Sequence, residues 1–456
     1  MRIHTNRLCL SLLAVWFSAT VAHAAEAPPL VAAAKAGDTA VVRALLAQGT
    51  AVDATEGDGT TALHWASYGD APDAARLLLE AGADVNAAND LGTTPLWSAS
   101  ENGSVAMVRL LLEAGADANL ALWSGETPLM IASRAGATRV VELLLEHGAR
   151  TDARAARGQT ALMWAASQQH ADVVTALLAG GADIHATSDV WSQVMAVPPH
   201  SQPEYKREIP HGGNTALMLA ARGGAVDAVR VLIAAGADVD DTDAWGVSAT
   251  TVATHAGFAE VVDLLLQAGA NANAAEAGFT AMHAAVMRQD ERLVAALLDH
   301  GADPNARLRT WTPTRRSSSD FHFAPPLVGA TPFWLAARFA APSMMRLLLE
   351  HGADATFVHH ADYKEPDYFQ PRLEETTALM AVTGMGGGRL RAWFPPPRDE
   401  AEMRALEAVQ LLVELGVDLN ATDGDGRTAL DGARSARLKT VAAYLESRGA
   451  VASGGG

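Results

Sequence analysis

Residues 92–119 read Gly-Thr-Thr-Pro-Leu-Trp-Ser-Ala-Ser-Glu-Asn-Gly-Ser-Val-Ala-Met-Val-Arg-Leu-Leu-Leu-Glu-Ala-Gly-Ala-Asp-Ala-Asn. Thr94 offers a side-chain oxygen to the free N–H groups of a helix start, and Pro95 occupies the first helical position, where its missing N–H costs nothing. Gly103 stops that short helix. Met107, Val108, Leu111 and Leu112 then place apolar groups on adjoining turns of a second helix, which Gly115 closes. Asp117 and Asn119 suit the tight turns that follow. The stretch therefore predicts helix, turn, helix and extended loop.

The same phrase returns as Thr-Ala-Leu-His at 61, Thr-Pro-Leu-Met at 127 and Thr-Ala-Leu-Met at 160, a spacing of 33 residues each time. It recurs, less regularly spaced, at 215, 248, 280, 331, 377 and 428, with Ser248-Ala-Thr-Thr the weakest copy. A second phrase keeps step, at Gly82-Ala83-Asp84, Gly181-Ala182-Asp183, Gly236-Ala237-Asp238, Gly301-Ala302-Asp303 and Gly352-Ala353-Asp354. Two short helices cannot bury their own apolar face, so the units must stack into one continuous core. An all-α solenoid of ten to eleven helix-turn-helix units follows.

The phrase pair, Gly-x-Thr-Pro-Leu-His followed by Leu-Leu-x-x-Gly-Ala-Asp-x-Asn, resembles the ankyrin repeat, most closely over Gly59 to Asn86 and Gly92 to Asn119. On that resemblance the repeat domain covers 25–450, with units starting near 59, 92, 125, 158, 213, 246, 278, 329, 375 and 426. A degenerate unit at 28–58 is its N-terminal cap, and 451–456 is read as a flexible tail. The family's histidine survives at His64 and His283 and gives way to Trp97, Met130, Met163, Met218, Trp334 and Met380, a pattern expected from local repacking between neighbours. The resemblance implies recognition of other proteins, through a concave surface of first helices and loop tips, and no catalysis.

Composition bounds the rest. The 456 residues carry 34 Lys and Arg against 52 Asp and Glu, and 49% are hydrophobic, which marks a folding chain. Arg2 and Arg7, the apolar run Leu8 to Val21 and Ala22-His23-Ala24 read as a signal peptide cleaved after Ala24. The mature chain is then exported, periplasmic or secreted, with net charge moving from −18 to −20. That acidity repels phosphate backbones and argues against nucleic acid. Cys9 leaves with the leader, which excludes disulfides and thiolate chemistry, and no later segment reads as a membrane span.

Irregular intervals of 55, 51, 46 and 51 residues locate insertions at 186–211, 306–328, 356–375 and 385–402. The first three extend loops between units and are expected on one edge; the fourth separates the two helices of one unit and is expected on the other edge. Together they hold 11 of the 23 aromatics of the mature chain. Loops normally lack such residues, so these either fold back on the solenoid or meet a partner. The candidate partner-binding residues are Trp191, Tyr205, Arg309, Trp311, Arg315, Arg316, Phe321, Phe323, Tyr363, Tyr368, Phe369, Arg389, Arg391, Trp393 and Phe394. Arg307-Leu308-Arg309-Thr310-Trp311 nearly repeats as Arg389-Leu390-Arg391-Ala392-Trp393, and an acidic partner would suit the arginines.

No nucleophile elbow, His-Glu-x-x-His or phosphate loop is present, and no catalytic residue, cofactor or metal is expected. His359-His360-Ala361-Asp362, with His322, is the best metal candidate but lacks ligand spacing. Asp418 to Gly426 resembles a calcium loop without its Gly at position six or its Glu at twelve. The sequence thus points to a monomeric, non-enzymatic scaffold or adaptor for partner proteins. A secreted effector acting on host proteins, or a site built by the inserts, stays open.

Overall fold

A computed structural model describes residues 27–196, 206–312, 323–364, 370–388 and 398–453. Among them, helices come in consecutive pairs. The first are α1 (Pro29–Lys35) with α2 (Thr39–Ala47), α3 (Ala62–Tyr68) with α4 (Pro72–Glu80), and α5 (Pro95–Glu101) with α6 (Val105–Glu113). Next come α7 (Pro128–Arg134) with α8 (Thr138–Glu146), α9 (Ala161–Ser167) with α10 (Ala171–Ala179), and α11 (Ala216–Gly223) with α12 (Val226–Ala234). Then follow α13 (Ala249–Ala256) with α14 (Ala259–Gln267), α15 (Ala281–Arg288) with α16 (Glu291–Asp299), and α17 (Pro332–Arg338) with α18 (Pro342–Glu350). The last are α19 (Ala378–Val382) with α20 (Arg398–Glu414) and α21 (Ala429–Ser435) with α22 (Lys439–Ser447). The units are numbered one to eleven in this order.

Each odd helix packs on the odd helices before and after it, and each even helix likewise, so the chain stacks as two parallel rows. The stack stands on repeated local chemistry. Thr94, Thr127, Thr160 and Thr215 each accept a hydrogen bond from the backbone N–H three residues on, which satisfies a donor that the helix start leaves free. Gly257, at φ 88°, ends α13 in the left-handed region that a side chain would strain. Leu78, Leu111, Leu144 and Leu177, one from each of α4, α6, α8 and α10, are fully buried in the core. Met130, Met163, Met218, Trp334 and Met380 are buried too, each with at most 1% exposure, so these residues repack the place of His64 and His283.

Asn and Asp side chains stitch neighbouring units. Asn119 Oδ1 accepts from the Arg150 N–H at 2.8 Å and its Nδ2 donates to the Gly148 carbonyl at 3.0 Å. Asn86 makes the same pair of bonds to Asp117 and Gly115. The last such link corrects the expected tail: the Val451 N–H donates to Asn420 Oδ1 at 2.7 Å and the Ser453 N–H to Asp431 Oδ2 at 2.8 Å. Residues 451–453 are therefore bonded to unit eleven, whose turn and cap supply the acceptors. Burial opposes the charge on Asp431, but hydrogen bonds from Thr428 and Ser453 outweigh it and hold the carboxyl at about 2.

Two insertions add strands to the helical stack. β1 (Trp191–Ala196) pairs antiparallel with β2 (Lys206–His211), Trp191 facing His211. β3 (Val358–Lys364) pairs antiparallel with β4 (Pro371–Thr377), Val358 facing Thr377. Such hairpins lengthen the loop tips with their own backbone pairing rather than loose chain.

The fourth insertion departs from expectation twice. Its end, 398–402, is helical and extends α20 by more than a turn, since Asp-Glu-Ala-Glu-Met-Arg contains no breaker. Glu402 fixes that turn by accepting from the Thr440 N–H and hydroxyl, both at 2.7 Å. Its start does not leave from the far edge. Met385 to Gly388 turns back and lies on the odd-helix side, against Gly432, Thr376, Trp334 and Pro326.

Candidate interaction face

The odd helices and the loop tips form one face of the stack, and its two halves differ. Over units nine to eleven the chain covers it with its own residues. Arg338, the last residue of α17, donates from Nε to the Gly386 carbonyl at 2.8 Å and from Nη2 to the Gly388 carbonyl at 3.1 Å. Glu374 Oε2 accepts from the Gly387 N–H at 2.9 Å, while its Oε1 accepts from the Tyr363 hydroxyl. Burial lowers the Arg338 pKa from its ordinary value, and the Glu374 carboxylate partly offsets this. Gly387 lies so close to the Trp334 ring and Leu327 that a Cβ would stand 3.0 and 3.1 Å from them, and its φ is 69°. Glycine is required by both constraints. Leu335 and Ala381 beneath are fully buried.

Over units two to five the face is open. Trp65 and Trp164, at equivalent places on α3 and α9, are half-buried. Trp65 donates from Nε1 to Glu56 Oε2 at 2.9 Å, and Lys35 Nζ sits 4.1 Å over its ring. The Arg134 guanidinium lies 5.1 Å over the Trp164 ring and pairs with Glu101 at 3.6 Å. Beside them stand exposed apolar groups: Tyr68 at 60%, Leu91 at 68% and Trp123 at 80%. The Trp123 backbone N–H and indole N–H reach the carbonyls of Leu91 and Asp90 at 3.2 and 2.7 Å, so the indole is held in place while its faces meet solvent. Exposed apolar groups of this size are available for contact with another molecule. The expectations built on the insertions passed over these residues. The available signal was a large apolar residue at the loop tip, Leu91 just before Gly92 and Trp123 two before Gly125, where the preceding unit carries Asp58 and Gly57.

The candidates that fall in described residues mostly lie within the covering. Trp311 is 8% exposed, Phe323 2% and Tyr363 7%. Phe323 packs on Phe279, centroids 5.1 Å apart, and on His283. Trp311 carries the Arg207 guanidinium 4.8 Å over its ring, and Arg207 also donates to the Thr310 hydroxyl, which ties the first insertion to the second. Trp191 stacks on His211 at 4.4 Å with the Arg157 guanidinium 4.3 Å over its ring. Arg309 is exposed, its backbone N–H bonded to the Gly278 carbonyl at 2.7 Å. The three buried rings pack within the chain itself. Tyr205, Arg315, Arg316, Phe321, Tyr368, Phe369, Arg389, Arg391, Trp393 and Phe394 lie outside the described residues.

The histidine motif separates in the strand. His359 points inward, fully buried, with Nε2 3.0 Å from the Pro326 carbonyl and its ring 4.3 Å from Trp334. His360 and Asp362 point outward, and His360 Nδ1 lies 3.3 Å from Glu375. Adjacent strand residues face opposite sides, so the two imidazoles cannot share an ion. His322 is outside the described residues. Among the described residues no group of three His, Cys, Asp or Glu could hold a metal. In the calcium-like loop, Asp423 accepts from the backbone N–H groups of Asp425 and Arg427 and pairs with the Arg427 guanidinium at 2.7 and 3.0 Å, an ordinary turn. No helix among the described residues is long and apolar enough to cross a membrane.

A stack of helix pairs with one long displayed face defines a repeat protein that meets others by surface contact. The chain belongs to the ankyrin repeat family: "Ankyrin repeats (3 copies)" matches residues 9–89, 30–121, 118–188 and 217–308, and "Ankyrin repeat" matches 328–357. Proteins of this family typically serve as non-enzymatic protein-interaction modules. Among curated proteins, an ankyrin repeat-containing protein of Treponema pallidum (strain Nichols) is 43% identical over 94 residues, 20% of this chain and 32% of that one. The ankyrin repeat and KH domain-containing protein CBG24701 of Caenorhabditis briggsae is 32% identical over 255 residues, 54% of this chain and 9% of that one. The chain thus spans about a third or less of the length of these relatives. The crystal structure of the human ASB11 ankyrin repeat domain is similar at 30% identity and TM-score 0.44, over 53% of this chain and 98% of that one.

Proposed function

We propose that this chain is an exported scaffold that holds a partner protein along the odd-helix face and loop tips of units two to five. One observation carries the reading: Tyr68, Leu91 and Trp123 stand exposed over a face left open there, while Met385 to Gly388 cover the same face at the other end. Among the described residues, units two to five thus offer a partner an uncovered floor with large exposed apolar side chains around it. Export rests on Arg2, Arg7, the apolar run Leu8 to Val21 and the small residues at 22–24. An effector released to act on host proteins would use the same face.

A photo-crosslinking residue placed at 123, and separately at 194 or 373, tests this in cells of the source organism. Val194 and Leu373 are exposed at 69% and 76% on the outer sides of the two hairpins and represent the insertions as the contact surface. A discrete adduct from position 123, lost when Leu91→Ala and Tyr68→Ala are added, is the expected result. Adducts from 194 or 373 alone would transfer the role to the insertions.

A further inference from the structure

Resting on that reading of units two to five, the charge and apolar groups of the face also define the chemistry of its partner. We propose that this face takes an extended segment in which basic side chains alternate with apolar ones.

The carboxylates come first. Asp58, Asp90 and Glu126 sit at successive loop tips, the first two exposed and the third half-exposed, and none has a cationic partner among the described residues. Thr60 backbone and hydroxyl hydrogen bonds lower the Asp58 pKa below its ordinary value, so this rim stays charged at neutral pH. Of the cations near the face, Lys35 pairs with Glu56, Arg134 pairs with Glu101, and Arg157 at the tip of unit five lies over the Trp191 ring. Residues 27–190 hold nineteen acidic against nine basic side chains, so over half of the whole-chain charge of −18 lies in the first five units. An acidic ligand would meet an uncompensated field of its own sign, whereas a basic one is steered in.

The apolar row supplies the second requirement. Leu91 and Trp123 occupy the tips of neighbouring units, and packed units lie roughly 10 Å apart. An extended chain in the polyproline II conformation advances about 3.1 Å per residue with three residues per turn, so every third side chain faces the same way and would meet a new tip. Each tip offers an apolar anchor beside a carboxylate, Asp90 with Leu91 and Trp123 with Glu126. A purely basic segment leaves the anchors in water, and a purely apolar one leaves the carboxylates without partners.

Fluorescence anisotropy of the full chain with three labelled twelve-residue probes tests this. The probes repeat Arg-Leu-Ser, Glu-Leu-Ser and Arg-Gly-Ser. The Arg-Leu-Ser probe is expected to bind at least tenfold more tightly than either other probe. Its affinity should fall at least tenfold in the combined Asp58→Asn, Asp90→Asn, Glu126→Gln protein and lose most of its salt dependence. Trp123→Ala with Leu91→Ala should weaken it comparably without altering that salt dependence. Three results would each overturn the proposal: no binding of Arg-Leu-Ser at millimolar concentration, equal or tighter binding of Glu-Leu-Ser, or indifference to the triple substitution. The crosslink from position 123 separates the two claims. If it still forms while the probes fail, the partner's chemistry is wrong and the face stands; if it is lost as well, the face is wrong.

Discussion

Replacing Arg338 with Met would remove the clamp that holds the chain across its own face while keeping most of the side-chain volume. Arg338 makes two charge-assisted bonds, to Gly386 at 2.8 Å and Gly388 at 3.1 Å, in a site where water has little access. Bonds of this type contribute about 1.5–3 kcal/mol each, and two carbonyls plus the Glu374 carboxylate would lose their cation together. The methionine restores some apolar contact with Trp334, so a net loss of about 3 kcal/mol is expected, confined to the covering segment. Because Leu78 and its counterparts carry the stack independently, the helices themselves should stay folded. Hydrogen exchange read by mass spectrometry over 383–388 is the direct assay, and 3 kcal/mol corresponds to roughly a hundredfold faster exchange through local opening. The Gly387 N–H, bonded to Glu374 at 2.9 Å, is the reporter amide. Unchanged protection at 383–388 in a variant with a native circular dichroism spectrum would refute the clamp.

Leu144→Ala removes a fully buried side chain at the middle of the open half and should cost about 3–5 kcal/mol, seen as a lower urea midpoint. Burial lowers the His283 pKa to about 4, so the unfolded chain takes up a proton near 6.5 before the folded one does. Stability is then full above about pH 6.5 and falls by up to roughly 3 kcal/mol as the pH drops toward 4; His283→Met, the residue other units use there, should flatten this slope in urea titrations at several pH values. Intact-mass measurement of protein recovered from the source organism should give a chain starting at Ala25, and a retained Met1 would remove the export reading.

Much of the fold was legible because each unit is locally self-consistent. The Thr94 cap, the Pro95 start, the Gly103 and Gly115 stops and the Asp117 turn all lie within a few residues of what they determine. The insertions were legible only as interruptions of the 33-residue interval. Their fate depends on contacts far along the chain, such as Arg207 with Trp311 or His359 with Pro326, which no local pattern encodes. Aromatic content alone could not separate covering from contact, because a buried ring such as Phe323 and an exposed one such as Trp123 read alike in sequence. The run Met385 to Gly388 reads as loose loop, yet its glycines answer a tight fit against Thr376, Trp334 and Pro326.

Among the described residues, contacts at two places reach past the next unit. Arg207, between units five and six, bonds Thr310, between units eight and nine; Arg404 on α20 reaches the Ala340 carbonyl at 3.2 Å and, beyond it, Gln289 Oε1 at 3.4 Å. A chain of nearest-neighbour links can be drawn out one link at a time from either end, at a nearly constant force. Here that holds for the first five units, whereas units six to ten are cross-tied by these longer contacts. Tension applied to the two ends of the chain would therefore draw out the leading units in small steps before the cross-tied ones yield.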